Sequence, residues 1–136
     1  MNQATKNRAF LIFCAVGLVP IALGYGAKPS VSLDMLFGIT VDTTNLTHIM
    51  RAVMGLYLGM VVFWLWGAFK PSMVGPALAG CAVFMLGLAA GRILSFILDG
   101  MPHWLLVVYA LLEIVLGVIA VILYRGNSSG GHPGSG

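Results

Sequence analysis

Four long apolar stretches, separated by short polar segments, set the pattern of the chain. They cover residues 9–27, 46–69, 76–98 and 104–124. Each is close to the roughly 20 mostly apolar residues that a helix needs to cross the hydrocarbon core of a bilayer. None alternates apolar and polar residues, as a strand of a membrane barrel does. The pattern predicts an all-α membrane protein with four transmembrane helices.

Composition agrees with this class. Of the 136 residues, 60% are hydrophobic and only 8% are charged, which lies outside the usual range for soluble proteins. The net charge of +3 comes from single, scattered Lys and Arg residues, so no basic patch points to nucleic acid. Cys14 and Cys81 lie in apolar stretches without a C-x-x-C pair. They are interpreted as buried, inert thiols.

The basic residues outside the apolar stretches predict the orientation of the chain. Lys6, Arg8, Lys70 and Arg125 fall on one side of the predicted helices, and only Lys28 falls on the other. Because loops rich in Lys and Arg stay in the cytoplasm, both termini are expected inside. The expected topology is an antiparallel four-helix bundle, N-in and C-in, that spans the bacterial cytoplasmic (inner) membrane several times.

The domain organisation follows from the same pattern. Residues 1–125 are expected to form one transmembrane domain, and residues 126–136 a Gly/Ser-rich polar tail with nothing to bury. The first apolar stretch has an alternative interpretation as a secretory signal peptide, since Lys6 and Arg8 precede it. Its 19 residues are longer than a usual signal core and favour a retained first helix.

Three charged residues lie inside the predicted helices. At about 1.5 Å per residue, Arg51 lies about 7 Å, Arg92 about 9 Å and Glu113 about 13 Å from the outer ends of their helices. Arginines at such depths can extend to the interface. A carboxylate near the middle of the bilayer is costly unless it is paired or protonated. A buried Arg–Glu–Arg arrangement that links the last three helices is therefore expected.

Polar and small residues recur at helical spacing in these helices. The second helix carries His48, Arg51, Gly55 and Gly59, the third carries Gly87, Gly91, Arg92, Ser95 and Asp99, and the fourth carries Tyr109, Glu113 and Gly117. Small residues allow helices to approach closely in a membrane. The charges are therefore expected to point into the bundle, with residues 99–102 as a lid on the outer side.

The chemistry of this group leaves several roles open. A buried ion pair can simply fix which helices pack together, or it can form part of a ligand-binding or proton-linked pocket. Catalysis is disfavoured because no nucleophile and base stand at a recognised spacing. His48, His103 and Asp99 lie on separate elements without a metal-ligand motif, so no metal site is predicted.

Three segments carry a resemblance to a known family. They are His48-Ile-Met-Arg51-Ala-Val-Met-Gly55-Leu-Tyr57, Gly91-Arg92-Ile-Leu-Ser95-Phe-Ile-Leu-Asp99-Gly100-Met-Pro102 and Leu112-Glu113. Together they resemble the domain of unknown function 4345 family of small bacterial membrane proteins, within the wider DoxX-like group. The resemblance implies a four-helix membrane bundle over about residues 9–124 and no assigned activity. The wider group includes subunits tied to quinone-linked or thiol-linked oxidation, but the lack of C-x-x-C here argues against dithiol exchange.

The sequence therefore predicts an integral membrane protein of uncharacterised activity, more in keeping with a non-catalytic accessory or assembly subunit than with an enzyme. Its expected partners are the lipid bilayer and another membrane protein or a second copy. The alternative is a protein that binds a quinone, a lipid or another amphipathic ligand in an outer-half Arg/Glu pocket. No particular cofactor is indicated. The candidates for ligand binding or a buried ion pair are Arg51, Arg92, Glu113, His48, Asp99, Ser95, Tyr57 and Tyr109.

Overall fold

The computed structural model describes residues 1–130, and nearly all of them are helical. The elements of this part of the chain are α1 (Gln3–Gly26), α2 (Pro29–Phe37), α3 (Thr44–Phe69), a short 3-10 turn (Pro71–Met73), α4 (Val74–Asp99) and α5 (Trp104–Ser129). Four of these helices, α1, α3, α4 with its preceding turn, and α5, are long and apolar enough to cross a membrane. The all-α class expected of a multi-pass membrane protein is confirmed.

Two helix boundaries differ from those that the apolar pattern predicts. Helix α1 begins at Gln3, because the Asn2 side chain accepts a hydrogen bond of 2.8 Å from the amide of Thr5. Helix α5 continues through residues 126–129, which were predicted as tail. Polar side chains in these turns find partners on the helix itself, as with the hydroxyls of Ser128 and Ser129, which donate to carbonyls one turn earlier. The remaining tail residues, 131–136, lie outside the described residues.

The short helix α2 lies in the segment between the first two spans. Pro29 stands in its first turn, where a residue without a free N–H is tolerated. Gly38 ends it with a φ of 67°, a left-handed conformation that glycine adopts without strain. The amide of Gly38 donates to the carbonyl of Asp34 at 2.9 Å. A helix therefore covers one end of the molecule, called the α2 end below.

The core lies where α1 packs on α3 and α4 packs on α5. Leu11, Trp64, Leu78 and Cys81 are fully buried in it. The Trp64 ring meets the Phe84 ring edge to face at a centroid distance of 5.5 Å. Burial of large apolar side chains between the helix pairs thus joins α1, α3 and α4.

Among the glycines that the sequence pattern marks, Gly117 allows a close helix contact, whereas Gly55, Gly59, Gly87 and Gly91 do not. A side chain at Gly26, Gly67 or Gly117 would overlap a neighbouring helix, whereas none would meet an atom within 4 Å at Gly55, Gly59, Gly87 or Gly91. The expectation that the latter four lie at contacts between helices of this chain is therefore wrong. A G-x-x-x-G spacing marks a small-residue face but does not say which partner the face meets.

A polar cluster of Gln3, Asn7 and Asn127 lies at the end of the molecule away from α2. Asn7 is fully buried, accepts a hydrogen bond from Gln3 at 2.9 Å and donates one to the side chain of Asn127 at 3.2 Å. The start of α1 is thereby tied to the end of α5. Sequence reasoning missed this cluster because Asn127 was placed in the tail.

Candidate functional site

An ion pair between α4 and α5 forms the centre of the candidate site. The Nε of Arg92 donates to both carboxylate oxygens of Glu113, at 2.8 and 3.1 Å. Glu113 is only 7% exposed. A long contact of 3.4 Å joins Arg92 Nη2 to the hydroxyl of Tyr25. Because the carboxylate is held mainly through Nε, most guanidinium N–H groups are left for other acceptors.

Three tyrosines surround this ion pair. Tyr25 and Tyr57 meet edge to face with ring centroids 5.5 Å apart. The guanidinium carbon of Arg92 lies 5.9 Å from the ring centroid of Tyr109, within the range of a cation–π contact. Tyr57 and Tyr109 were candidates from the sequence, whereas Tyr25 was not. Tyr25 lies near the end of α1. Its contact with Arg92 depends on which face of α1 is turned toward α4, and the sequence pattern does not give that.

Helix α2 packs on two of the tyrosines, Tyr25 and Tyr109. Phe37 stacks on Tyr25 at 6.2 Å and meets Tyr109 edge to face at 6.2 Å and His103 at 6.0 Å. The sequence placed the lid in residues 99–102 instead. The residue that packs on the rings of Tyr25 and Tyr109 is Phe37 of α2, and Met101 is 75% exposed. The last residue of a short helix between two spans carries too little pattern to be assigned this contact in advance.

Arg51 does not join the ion pair, so the expected Arg–Glu–Arg arrangement is wrong at this residue. Its Nη1 donates to the carbonyls of Gly26 and Ala27, at 3.2 and 3.3 Å. These carbonyls lie at the C-terminal end of α1, where helix acceptors lack a partner and the helix dipole favours a cation. His48 and Arg51 line a separate surface depression beside α2.

Ser95 and Asp99 form a third group. The hydroxyl of Ser95 donates to the Asp99 carboxylate at 2.7 Å, and both residues are exposed. They are one helical turn apart on α4 and satisfy each other. The eight candidates thus separate into Arg92 with Glu113, Tyr57 and Tyr109, into His48 with Arg51, and into Ser95 with Asp99.

A cavity of about 140 Å³ lies beside the ion pair, between the helices. Its walls are Phe13, Cys14, Gly17, Leu18 and Ile21 of α1, Tyr57 of α3, Met85 and Leu88 of α4, and Tyr109, Leu112, Glu113 and Leu116 of α5. Phe13 and Leu112 are 65% and 49% exposed, so the cavity reaches the surface between α1 and α5. Its walls are mostly apolar, and Glu113, Tyr57 and Tyr109 supply the polar groups.

This arrangement supplies hydrogen-bonding groups at one place in an otherwise apolar space. A carboxylate offers about four acceptor positions, and the contacts with Arg92 use two of them. The tyrosine hydroxyls both donate and accept. The site can therefore hold a small polar group whose attached chain lies among apolar side chains.

A comparison with protein families matches residues 7–124 to the model of the domain of unknown function 4345. The match includes α3 and α4, most of α1 and α5, and every residue of the ion pair and cavity. No curated protein and no solved structure matches the chain.

Proposed function

The chain belongs to the domain of unknown function 4345 family, and we propose that it is an integral membrane protein that binds an amphipathic ligand, such as a quinone or a lipid, between α1 and α5. The observation that carries this proposal is the Glu113 carboxylate at the edge of an apolar cavity that reaches the surface. Apolar pockets with a few convergent polar groups are typical of small-molecule sites. The ligand's apolar chain lies between α1 and α5, and its head group meets Glu113.

The pairing of Glu113 restricts the head group. Arg92 balances the charge of the carboxylate, so an uncharged head group adds no unpaired charge to this part of the membrane. A hydroxyl of the ligand donates to a free lone pair of Glu113, and an acceptor of the ligand meets a tyrosine hydroxyl. Neutral heads that carry O–H or C=O groups fit these partners, and strongly charged heads do not.

The proposal includes the orientation of the protein. We place it in the bacterial cytoplasmic membrane as an antiparallel four-helix bundle, with both termini in the cytoplasm and α2 outside. The contact between Asn7 and Asn127 supports this arrangement because it brings the start of α1 and the end of α5 to one end of the molecule. Lys and Arg residues outside the spans are concentrated at that end in the proposed topology.

The substitution Gly17→Leu tests the ligand site. Gly17 lines the cavity, and an added Cβ there meets no atom within 4 Å, so the leucine occupies ligand space without disturbing the helices. We expect binding of co-extracted amphiphiles to fall about tenfold or more, which corresponds to a loss of about 1.4 kcal/mol or more of affinity, because the leucine occupies space that the ligand needs. Native mass spectrometry of protein extracted from its membrane measures the bound fraction.

Two further variants make this test specific. Gly59→Leu adds the same side chain at an equally open glycine outside the cavity, and we expect it to retain the ligand. Glu113→Gln keeps the shape of the side chain and removes the carboxylate, and we expect weaker binding with the fold retained. If neither Gly17→Leu nor Glu113→Gln changes the bound fraction, the cavity is not the ligand site.

The second candidate function is an accessory or assembly subunit. Gly55, Gly59, Gly87 and Gly91 face open space, and small-residue faces allow helices of different chains to approach closely. We expect Gly87→Leu to release a partner chain or a second copy in mild detergent, whereas Gly17→Leu does not. Size-exclusion chromatography with light scattering distinguishes the outcomes. A wild-type protein that always runs as a single chain contradicts this role.

A further inference from the structure

A second site lies on the surface at the α2 end, away from the cavity. It is a depression of about 470 Å³. Its walls are Ser30, Val41, Asp42, Thr43, Thr44, Thr47, His48 and Arg51. None of these residues lines the cavity at Glu113. The depression is therefore separate from the proposed ligand site, and what it binds does not depend on that proposal.

The depression combines opposite charges that do not pair with each other. Asp42 stands on the segment before α3, and Arg51 stands two turns into that helix. Among residues 1–130 the Arg92–Glu113 pair is the one ion pair within 4.0 Å. Asp42 and Arg51 are thus left facing the same space with their charges unmatched. A ligand that carries both a negative and a positive group complements such a surface.

Arg51 is held in place on one side. Its Nη1 donates to the carbonyls of Gly26 and Ala27, which leaves Nη2 and Nε without a partner among the described residues. A guanidinium presents its donors in a planar fork that matches phosphate oxygens. Part of the ordering of the long side chain is therefore complete before an anion binds.

The surrounding backbone is also fixed. The hydroxyl of Thr43 accepts from the amide of Leu46 at 3.1 Å, and the hydroxyl of Thr47 donates to the carbonyl of Thr43 at 3.1 Å. These bonds secure the first turn of α3 beside Asp42. His48 lies within the same two turns and adds a second nitrogen donor or acceptor. The charged groups therefore stand on an ordered frame.

The depression lies where the apolar span of α3 begins. At that depth a bilayer presents its polar head groups, just outside the hydrocarbon core. An anion at Arg51 and a cation at Asp42 are there matched by one common chemical unit, a phosphate linked to a primary ammonium. The ammonium donates to a carboxylate, which a quaternary ammonium cannot do.

We propose that this depression binds a phosphoethanolamine group, with the phosphate at Arg51 and His48 and the ammonium at Asp42. The group occurs as the head of ethanolamine phospholipids and as a free solute. Both sources present a phosphate and a primary ammonium to the site. The phosphate is a diester in the lipid and a monoester in the solute, where it carries additional negative charge.

Native mass spectrometry with phospholipids of identical chains tests the proposal. We expect the full chain in detergent to bind the ethanolamine lipid about tenfold more tightly than the glycerol lipid, because only the ethanolamine head offers Asp42 a charge-assisted hydrogen bond. The choline lipid should also bind less tightly than the ethanolamine lipid. Asp42→Asn removes the carboxylate and should abolish the preference for ethanolamine. Asp34 is also an exposed carboxylate, but it lies on α2 and does not line the depression, so Asp34→Asn should leave the preference intact.

Free phosphoethanolamine, measured by isothermal titration, separates the two sources. Binding of the solute that Asp42→Asn abolishes supports recognition of the head group alone. Lipid binding without solute binding supports a phospholipid whose chains contribute affinity. His48→Ala tests the phosphate side of the site. An Arg51 variant is not used for this, because Arg51 also holds the end of α1 and its replacement affects folding. Equal binding of the three lipids together with no solute binding, or equal losses in Asp42→Asn and Asp34→Asn, overturns the proposal.

Discussion

Replacement of Arg92 by leucine is expected to lower the free energy of unfolding by about 3 kcal/mol, the usual scale for removal of one partner of a buried ion pair. The variant leaves Glu113 without its hydrogen-bonded cation. Glu113 lies about 13 Å inside α5, and a short carboxylate side chain at that depth does not reach the interface. Unfolding in mixed detergent micelles, followed by intrinsic fluorescence, measures the loss.

Replacement of Glu113 by leucine should lower the free energy of unfolding by less than Arg92→Leu does. Arg92 lies about 10 Å from the end of α4, so in Glu113→Leu its long side chain can extend toward water. The double variant Arg92→Leu with Glu113→Leu should recover most of the stability, because an apolar pair often replaces a buried ion pair at little cost. If Glu113→Leu lowers the free energy of unfolding as much as Arg92→Leu does, the different lengths of the two side chains do not determine the loss of stability.

The substitution Gly67→Val is expected to lower the free energy of unfolding by about 2 kcal/mol, in the range found for overpacked cores. A Cβ on Gly67 would overlap the Cβ of Ala77 and lie 3.0 Å from the backbone carbonyl of Met73. Backbone cannot move aside as a flexible side chain can. The added atoms therefore push α3 away from the start of α4, and thermal unfolding in detergent should show a lower Tm.

Gly59→Val is the matched control on the same helix. Its Cβ meets no atom within 4 Å, so no overpacking penalty is expected for the single chain. Equal destabilisation by Gly59→Val and Gly67→Val contradicts the assignment of Gly67 to the close contact. Loss of a partner in Gly59→Val with an unchanged Tm is the outcome expected if the open glycine face serves assembly.

The four spans were predictable because bilayer thickness fixes the length of an apolar helix. The depth of Glu113 made a cationic partner necessary, and the structure supplies Arg92. The same reasoning failed for Arg51, since depth does not reveal that carbonyls at the end of α1 are nearer partners. Depth along a helix is a local quantity, whereas the choice of partner depends on how the helices are rotated.

The aromatic group and helix α2 could be assigned only from the tertiary structure. Tyr25 and Phe37 belong to the aromatic group only because α1 and α2 bring their rings together at 6.2 Å. Helix α2 carries a proline at its start and a glycine at its end, but its nine residues give too little periodicity to separate a helix from a loop. The sequence contains the start and stop signals of α2. It does not show that this helix places Phe37 on the tyrosines of the site.

The ion pair need not serve either packing or binding alone. It joins α4 to α5 and also supplies the polar edge of the cavity. Glu113→Gln separates the two roles, because it preserves side-chain volume and removes the charge. A fall in stability without a change in ligand binding indicates packing, whereas weaker binding in a stable protein indicates the ligand site.

A density map of the full chain in native lipid tests the ligand site most directly. We expect an elongated feature between α1 and α5, with its polar end within hydrogen-bonding distance of the Glu113 carboxylate or the Tyr109 hydroxyl. The feature should be missing from the Gly17→Leu variant and retained in Gly59→Leu. A wild-type map in which α1 and α5 close over the cavity, or in which the feature makes no polar contact, contradicts the proposed function.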